Sequence, residues 1–274
     1  MSRIAARFAA LRAQNRAGFV SFLTAGDPDA ETSFAILEKL PAAGADIVEL
    51  GMPFSDPMAD GPAIQASSMR ALHAGANMKR TLDMVRRFRA RDAETPLVLM
   101  GYFNPIHAYG VGAFARDAGA AGADGLIIVD LGPEEDSVLR GPAKQAGLDI
   151  VRLATPTTDD KRLTTVLDGA GGFLYYVSVA GVTGTKTFTE EDVRAAVARI
   201  RSATPLPCAV GFGIRTPEQA AGIARFADAA VVGSAIVSGI ELGIKAGFPN
   251  TRLITETLEF CRKIADAVHN ARKG

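Results

Sequence analysis

The sequence predicts a single α/β domain, a (β/α)8 TIM barrel spanning residues 1–274. Eight short apolar runs recur along the chain, and helical patterns separate them. The length of 274 residues suits one such barrel, and 48% apolar residues are enough for a large core. An open doubly wound sheet is the alternative. It would need a phosphate-binding glycine motif after the first strand, where the sequence TAGDP fits poorly.

The predicted strands are almost continuously apolar, which is typical of parallel strands covered by helices. They are residues 19–24, 47–51, 97–101, 125–130, 149–154, 173–178, 208–212 and 229–233. Helical patterns lie between them at 29–43, 62–74, 78–92, 110–121, 133–146, 190–202 and 216–226. A further pair follows the eighth strand, an extra short helix at 234–243 and a longer one at 250–271. Before the first strand, Ile4, Phe8 and Leu11 have helical spacing, which favours an N-terminal capping helix over a transit peptide.

A small repeat orients the barrel. Four of the strands are preceded by a helix end and an acid, in the sequences AGAD, AGAD, AGLD and FAD. Turns that lead from helix to strand lie at the bottom of a barrel, the end associated with stability. We therefore interpret these acids as structural; they are Asp46, Asp124, Asp149 and Asp228.

Glu49 differs because it lies at the carboxyl end of its strand, where barrels carry their chemistry. Side chains alternate along a strand, so Ile47 and Glu49 are predicted to face the barrel interior while Val48 and Leu50 face the helices. A catalytic carboxylate is favoured over a buried acid held by backbone N–H groups or by an arginine distant in sequence. Its apolar surroundings predict a raised pKa for Glu49.

Glycine-bearing turns follow the last three strands, at 180–184, 211–214 and 233–236. The third leads into the extra helix, with Ser234 as the expected N-cap. Helix N-termini and close-approaching glycines bind phosphate well, although glycines that merely form turns are the alternative. The segment 181–192 is either a mobile lid or a plain solvated loop.

Several classes of function are disfavoured. The net charge is zero with no basic stripe, which argues against nucleic acid, and no apolar run is long enough to span a membrane. Two distant cysteines suggest reduced thiols in a cytoplasmic protein. Three scattered histidines predict no metal site, so the chemistry falls to carboxylates, helped by Tyr102 and Tyr175. Asp130, at the end of the fourth strand, is expected to fix a loop.

Six motifs occur in an order that resembles the tryptophan synthase alpha chain family. They are FLTAGDP (22–28), ELGMPFSDPMADGPAIQ (49–65), LMGYFNPI (99–106), YYVSVAGVTG (175–184), VGFGI (210–214) and VGSAIV (232–237). The resemblance covers essentially the whole chain. It implies a lyase that cleaves indole-3-glycerol phosphate into indole and glyceraldehyde 3-phosphate. It also implies an α2β2 complex with a PLP-dependent beta chain, which condenses indole with serine to give tryptophan, and no cofactor in this chain.

The resemblance also assigns residues. The family's two catalytic acids fall on Glu49 and Asp60, and Thr183 is placed to bind Asp60 on lid closure. The remaining assignments are Phe22, Tyr102 and Phe212 to the indole pocket, Tyr175 to the glycerol, Gly184, Gly213, Gly233 and Ser234 to the phosphate, and Asp56 and Pro57 to the partner interface. Two other functions stay open: a binding subunit that only activates a partner, and a free-standing lyase or another phosphosugar enzyme such as an isomerase.

Overall fold

The computed structural model describes residues 2–178, 189–211 and 213–273. These residues form nine parallel strands in the order β5-β4-β3-β2-β1-β9-β8-β7-β6. The strands are β1 (Gly18–Thr24), β2 (Ile47–Gly51), β3 (Leu97–Gly101), β4 (Gly125–Ile128), β5 (Asp149–Ile150), β6 (Arg152–Ala154), β7 (Leu174–Val177), β8 (Cys208–Gly211) and β9 (Ala229–Val232). Every predicted strand is present, and the arrangement is the (β/α)8 barrel that the sequence predicts.

The nine strands arise because the predicted strand at 149–154 is interrupted at Val151. β5 pairs only with β4, and β6 pairs only with β7. The Val151 N–H still donates to the Leu126 carbonyl on the β4 side, at 2.9 Å. The chain itself therefore closes the barrel, as it passes from one neighbouring strand to the other within six residues.

Twelve helices alternate with the strands in the described residues. They are α1 (Arg3–Ala13), α2 (Ala30–Leu37), α3 (Pro62–His73), α4 (Met78–Arg89), α5 (Phe103–Tyr109), α6 (Val111–Ala121), α7 (Ser137–Gln145), α8 (Asp160–Leu167), α9 (Glu190–Ala203), α10 (Pro217–Ala224), α11 (Ser234–Lys245) and α12 (Asn250–Asn270). The sequence did not predict α5 or α8. The start of α5 depends on a distant residue, since its first N–H, from Phe103, donates to Asp130 at 2.7 Å. That bond also confirms that Asp130 fixes a loop.

The core has two layers, and they confirm the predicted alternation along β2. Ile47 belongs to the cluster inside the barrel, whereas Val48 and Leu50 belong to the larger cluster between strands and helices. Ile4 and Phe8 of α1, together with Leu11, join the inner cluster. Helix α1 thus caps the barrel, as its spacing predicts. No helix among the described residues has the length and apolar character needed to cross a bilayer.

Three of the four repeated acids form the same reciprocal contact with the preceding strand in the sheet. The Asp46 N–H donates to the Phe19 carbonyl at 2.8 Å, and the Phe19 N–H donates to the Asp46 carboxylate at 2.9 Å. Asp124 with Leu97 and Asp228 with Cys208 repeat this pair of bonds.

Arginines complete each of these three sites, and they confirm the structural interpretation of the acids. Arg16 binds Asp46 in a bidentate manner, Arg3 and Arg89 bind Asp124, and Arg201 binds Asp228. The fourth acid is different. The Asp149 carboxylate accepts a hydrogen bond from the Ser2 hydroxyl at 2.8 Å, a contact that ties down the start of α1.

Candidate active site

The centre of the site is Glu49, near the carboxyl end of β2. Its side chain is only 1% exposed, and Oε1 has no hydrogen-bond partner among the described residues. Burial raises the pKa of Glu49 to about 8, as the sequence predicts, because desolvation penalises the charged form. The carboxyl is therefore largely protonated at neutral pH.

Two aromatic residues lie beside this carboxyl. Phe22 on β1 is the register neighbour of Glu49. Its ring packs over Gly51, since a Cβ added to that glycine would lie only 2.6 Å from the ring. Tyr175 on β7 belongs to the rim of the inner cluster. Burial raises the pKa of Tyr175, and the negative charges of Glu49 and Asp60 raise it further. Tyr175 thus stays a hydroxyl donor and lies within electrostatic reach of both acids.

Asp60 lies in the loop between β2 and α3, and Tyr102 holds it. The Tyr102 hydroxyl donates to Asp60 Oδ2 at 3.0 Å, and the Tyr102 hydroxyl oxygen accepts the Ala59 N–H at 3.1 Å. The Tyr102 ring packs against Phe54 with centroids 5.5 Å apart. Burial raises the pKa of Asp60, and the bond from Tyr102 offsets part of that rise. Sequence reasoning placed Tyr102 in the pocket wall but missed this contact, because 42 residues separate the partners.

A pocket opens between these groups at the top of the barrel and encloses about 300 Å³ of space, its open side included. Its wall includes Phe22, Asp60 and Tyr102, with Met100 and Val129 from the neighbouring strands. Glu49 is not part of this wall. Glu49 is buried, and it is the register partner of Phe22, which does line the pocket. The pocket wall is therefore mainly apolar with one carboxylate, and a second, largely protonated carboxyl lies at the neighbouring strand position.

The glycine turns after β8 and β9 lie at the same end of the barrel, the carboxyl ends of the strands. A Cβ on Gly211 would lie 2.3 Å from the Tyr175 hydroxyl, so only glycine leaves that phenol its place. Gly213 adopts a positive φ of 51° and has open space at its missing Cβ. Gly233, beside Phe22, is the N-cap of α11, and Ser234 is the first helical residue. The prediction that Ser234 caps this helix is wrong, because the turn geometry places the non-helical backbone at Gly233 (φ −126°, ψ −71°).

Three predicted site residues, Thr183, Gly184 and Phe212, lie outside the described residues, so their roles stay predictions. Of the predicted lid at 181–192, residues 181–188 also lie outside the described residues. Its last residues begin α9, where the Thr189 side chain accepts the Asp192 N–H at 3.2 Å in a capping box.

The described residues contain no cluster of side chains that could bind a metal ion, and their two cysteines are buried. No group of three or more potential ligands there could hold a metal ion. Of the histidines, His269 binds Asp46 at 2.9 Å and His107 packs near Phe103. Cys208 and Cys261 are free and buried, as the sequence predicts for reduced thiols.

A sequence model of one family, the tryptophan synthase alpha chain, matches residues 8–269. This chain belongs to the tryptophan synthase alpha chain family. Three of the motifs that carried the resemblance, at 22–28, 49–65 and 99–106, supply most of the wall of the pocket described above.

Solved structures agree with this family assignment. A tryptophan synthase alpha chain from Legionella pneumophila subsp. pneumophila is 37% identical over 98% of each chain, with a TM-score of 0.90. A chain of tryptophan synthase from Mycobacterium tuberculosis is 35% identical over 98% of each chain, with a TM-score of 0.87. A chain from Aquifex aeolicus VF5 is 34% identical and covers 98% of this chain and 100% of its own length, with a TM-score of 0.88.

The loop between β2 and α3 carries two acids in different surroundings: Asp60 lies in the pocket wall, whereas Asp56 faces solvent. Asp56 is exposed, and its carboxylate accepts a hydrogen bond from the Ser55 hydroxyl at 2.5 Å. Pro57 is buried and lines the pocket with Asp60. Between them and Asp60, Met58 is 78% exposed. One short loop thus presents an acid and an apolar side chain outward while it forms part of the pocket wall.

Proposed function

We propose that this chain is a lyase that cleaves indole-3-glycerol phosphate into indole and glyceraldehyde 3-phosphate, with Glu49 and Asp60 as its catalytic acids. The observation that carries the proposal is Glu49, a buried carboxyl at the top of the barrel whose Oε1 has no hydrogen-bond partner among the described residues. A general acid works best when its pKa lies near the operating pH, and a value of about 8 meets that condition. Family membership supplies the substrate class.

The first step is a proton transfer to the indole ring. Glu49, protonated at neutral pH, gives its proton to C3 and becomes a carboxylate. The ring becomes an indoleninium cation, with the positive charge shared by its nitrogen. Asp60 accepts a hydrogen bond from the indole N–H, and its negative charge stabilises that cation. The bond from Tyr102 keeps the Asp60 carboxylate pointing at the pocket.

The second step breaks the bond between C3 and the glycerol carbon. The Glu49 carboxylate takes the proton of the neighbouring glycerol hydroxyl, and that oxygen forms the aldehyde carbonyl. The electron pair of the broken bond returns to the ring and neutralises the indoleninium, which gives indole. Glu49 is protonated again at the end, so one group acts as acid and then as base.

The substrate phosphate is assigned to the end of the pocket near Gly213, Gly233 and Ser234. The N–H groups of the first turn of α11 have no acceptor within the helix, and a helix N-terminus favours an anion. Tyr175, held in place beside Gly211, is assigned to the glycerol hydroxyls as a donor. Gly184 and Thr183 are assigned to the same substrate by the family motif alone.

The proposal includes a partner. Indole would pass to a PLP-dependent beta chain in an α2β2 complex, which makes tryptophan in the cytoplasm, and this chain would need no cofactor. Asp56 and Pro57 are assigned to that interface. The exposed Asp56 and Met58 support this part of the loop as a contact, because an exposed large apolar side chain beside a charge is typical of interface rims.

An assay of indole release from indole-3-glycerol phosphate, with and without a beta chain, tests the function. We expect slow release by the chain alone and faster release with the beta chain. A purely binding subunit would release no indole under either condition. Sedimentation of the mixed chains tests the partner separately, and a sum of the separate species would exclude the partnered complex.

A further inference from the structure

A second pocket lies outside the barrel, next to the loop that follows β1. Its free volume is about 200 Å³, somewhat more than a cavity of about 150 Å³ that holds benzene. Its walls contain Ala25, Gly26, Ala30, Ala74 and Ala76. Because none of these side chains extends beyond Cβ, the space between the loop, α2 and α4 is left unfilled. No residue lines both this pocket and the candidate active site.

The two pockets share the loop after β1 as a wall. Thr24 lines the candidate active site, and the next two residues, Ala25 and Gly26, line the second pocket. Ser33 of α2 joins the two sides. The Gly26 N–H donates to Ser33 Oγ at 3.0 Å, and that hydroxyl donates to the Thr24 carbonyl at 3.3 Å. A ligand in the second pocket would therefore contact the two residues that directly follow Thr24, which lines the candidate active site.

The charged rim of the second pocket has one cation without a carboxylate. The Arg87 guanidinium is held by Glu31 in a bidentate pair, at 3.0 and 2.9 Å. Arg80 donates one N–H to the Gly75 carbonyl at 2.7 Å, and across the described ranges no carboxylate lies within ion-pair distance of it. Asp83 is the acid at the rim, and it is exposed to water. The guanidinium of Arg80 therefore has donors to spare.

A hydroxyl in the wall also lacks a partner. Thr81 is 1% exposed, and its Oγ1 is buried with no hydrogen-bond partner among the described residues. A buried polar atom without a partner costs about 1–3 kcal/mol. Met84, one turn further along α4, contributes an adaptable apolar surface that is 5% exposed. The pocket thus combines an apolar body with one cation and one unsatisfied hydroxyl on the same helix.

We infer that this pocket binds a small organic carboxylate, an anion with an apolar body about the size of a benzene ring. Arg80 receives the carboxylate in a charge-assisted hydrogen bond, and the Thr81 hydroxyl donates to its second oxygen. The alanine walls and Met84 cover the apolar body. This site is independent of the proposed lyase function, because binding requires neither Glu49 nor Asp60.

Benzoate titrated into the full chain labelled with methyl-13C methionine tests the site by NMR. Met84 reports on the second pocket, and Met52 and Met100 report on the candidate active site. We expect a saturable shift of the Met84 methyl signal at benzoate concentrations that leave the other two unchanged. Benzyl alcohol, which has the same ring but no charge, should bind more weakly.

Three variants sharpen the test. Arg80→Gln should weaken benzoate binding about tenfold, the loss of one charge-assisted hydrogen bond. Arg86→Gln is the matched control, since this arginine lies on the same helix but not in the pocket wall, and it should bind like the wild type. Thr81→Val keeps the shape and removes the unsatisfied hydroxyl. It should leave the unfolding temperature no lower while it weakens benzoate binding.

Four results would overturn the inference. One is the absence of a saturable Met84 shift with both benzoate and the smaller butyrate. Another is equal affinity for benzoate in Arg80→Gln and the wild type, and a third is equal affinity for benzoate and benzyl alcohol. The fourth is a Met84 shift that follows those of Met52 and Met100 at a single midpoint, since that would place the ligand in the candidate active site.

Discussion

The two ends of the barrel both bury carboxylates, and they provide them with opposite surroundings. At the bottom, Asp46, Asp124 and Asp228 each accept a strand N–H and bind at least one arginine. At the top, Glu49 Oε1 has no hydrogen-bond partner in the part of the chain that the structure describes, and the Asp60 carboxylate accepts a hydrogen bond from Tyr102. The same functional group therefore joins strands at one end and remains available for reaction at the other.

The pKa values follow this division. Burial by itself raises the pKa of Asp46, but hydrogen bonds from His269, Arg16 and the Phe19 N–H outweigh it and hold the pKa below its usual value. For Glu49 nothing opposes burial, and the pKa rises to about 8. Partners, rather than burial, thus decide which acids stay charged. The proton donor that we propose at Glu49 is thus an acid whose pKa no hydrogen bond or counter-charge lowers.

The largest expected effect comes from Glu49→Gln. The amide keeps the size of the side chain but cannot exchange the proton, so we expect indole release to fall by about a thousandfold or more. Thermal unfolding should stay cooperative at or above the wild-type temperature. Asp56→Asn is the matched control, an exposed acid in the next loop, and it should release indole like the wild-type chain alone. Turnover near the wild-type rate in Glu49→Gln would end the assignment.

Asp46→Asn should have the converse effect. It removes the charge that holds Arg16, and breaking a buried pair costs about 3–5 kcal/mol of the free energy of unfolding. Urea unfolding measures the loss. Asp149→Asn, an acid before another strand that binds only the Ser2 hydroxyl, should lose about 1 kcal/mol. Equal losses in the two variants would contradict the structural role assigned to the paired acids.

A smaller effect is expected from Tyr102→Phe, which removes the hydrogen bond from Tyr102 to the Asp60 carboxylate. We expect kcat for indole release to fall about tenfold, because Asp60 loses the donor that orients it. Tyr109→Phe is the matched control, since Tyr109 donates to Asp117 at 2.8 Å away from the pocket.

A double-mutant cycle separates orientation from packing. In an Asp60→Asn background, Tyr102→Phe should change kcat far less than in the wild type. The same tenfold loss in both backgrounds would show that the Tyr102 hydroxyl acts independently of Asp60.

The smallest expected effect is the pH dependence of the free energy of unfolding, which changes by at most about 1.4 kcal/mol per pH unit for each titrating group. Because the folded pKa of Glu49 is raised, the folded chain holds a proton that the unfolded chain has released between pH of about 4.5 and 8. The contribution of Glu49 therefore falls as pH rises through that window and is constant above it. Asp46 has the opposite sign, because its stabilisation is present above its unfolded pKa of about 3.9 and is lost as pH falls.

Urea unfolding across these windows compares each variant with the wild type. The stability of Glu49→Gln relative to the wild type should increase from pH 4.5 to 8. The deficit of Asp46→Asn should shrink below pH of about 4. A difference that is flat with pH in either variant would contradict the corresponding pKa.

Local patterns predicted the strands and most helices because each such element shows its own apolar period. The interior position of Glu49 followed from alternation along a single strand. The start of α5 could not be predicted from local patterns, because its first N–H donates to Asp130, which follows β4 and is 27 residues away. Helix α8 is short, yet Asp159, which accepts the Arg162 N–H at 2.7 Å, is a capping signal that the sequence does show.

The candidate site was predictable in its acids and less so in its contacts. The bond between Tyr102 and Asp60 joins residues from separate loops, and no spacing along the chain reveals it. Residue preference favours Ser234 as the N-cap of α11, but the backbone angles show that Gly233 holds that position. The second pocket was also hidden, since it arises where alanines from three segments meet.

Helix α1 closes the lower end of the barrel. Ile4 and Phe8 are 0% and 4% exposed and fill that end, where Phe8 packs against Phe173 with ring centroids 5.7 Å apart. The candidate pocket opens at the opposite end, so a small molecule that enters it and a product that leaves it would use the same rim. A subunit bound over that rim would therefore control both entry and exit.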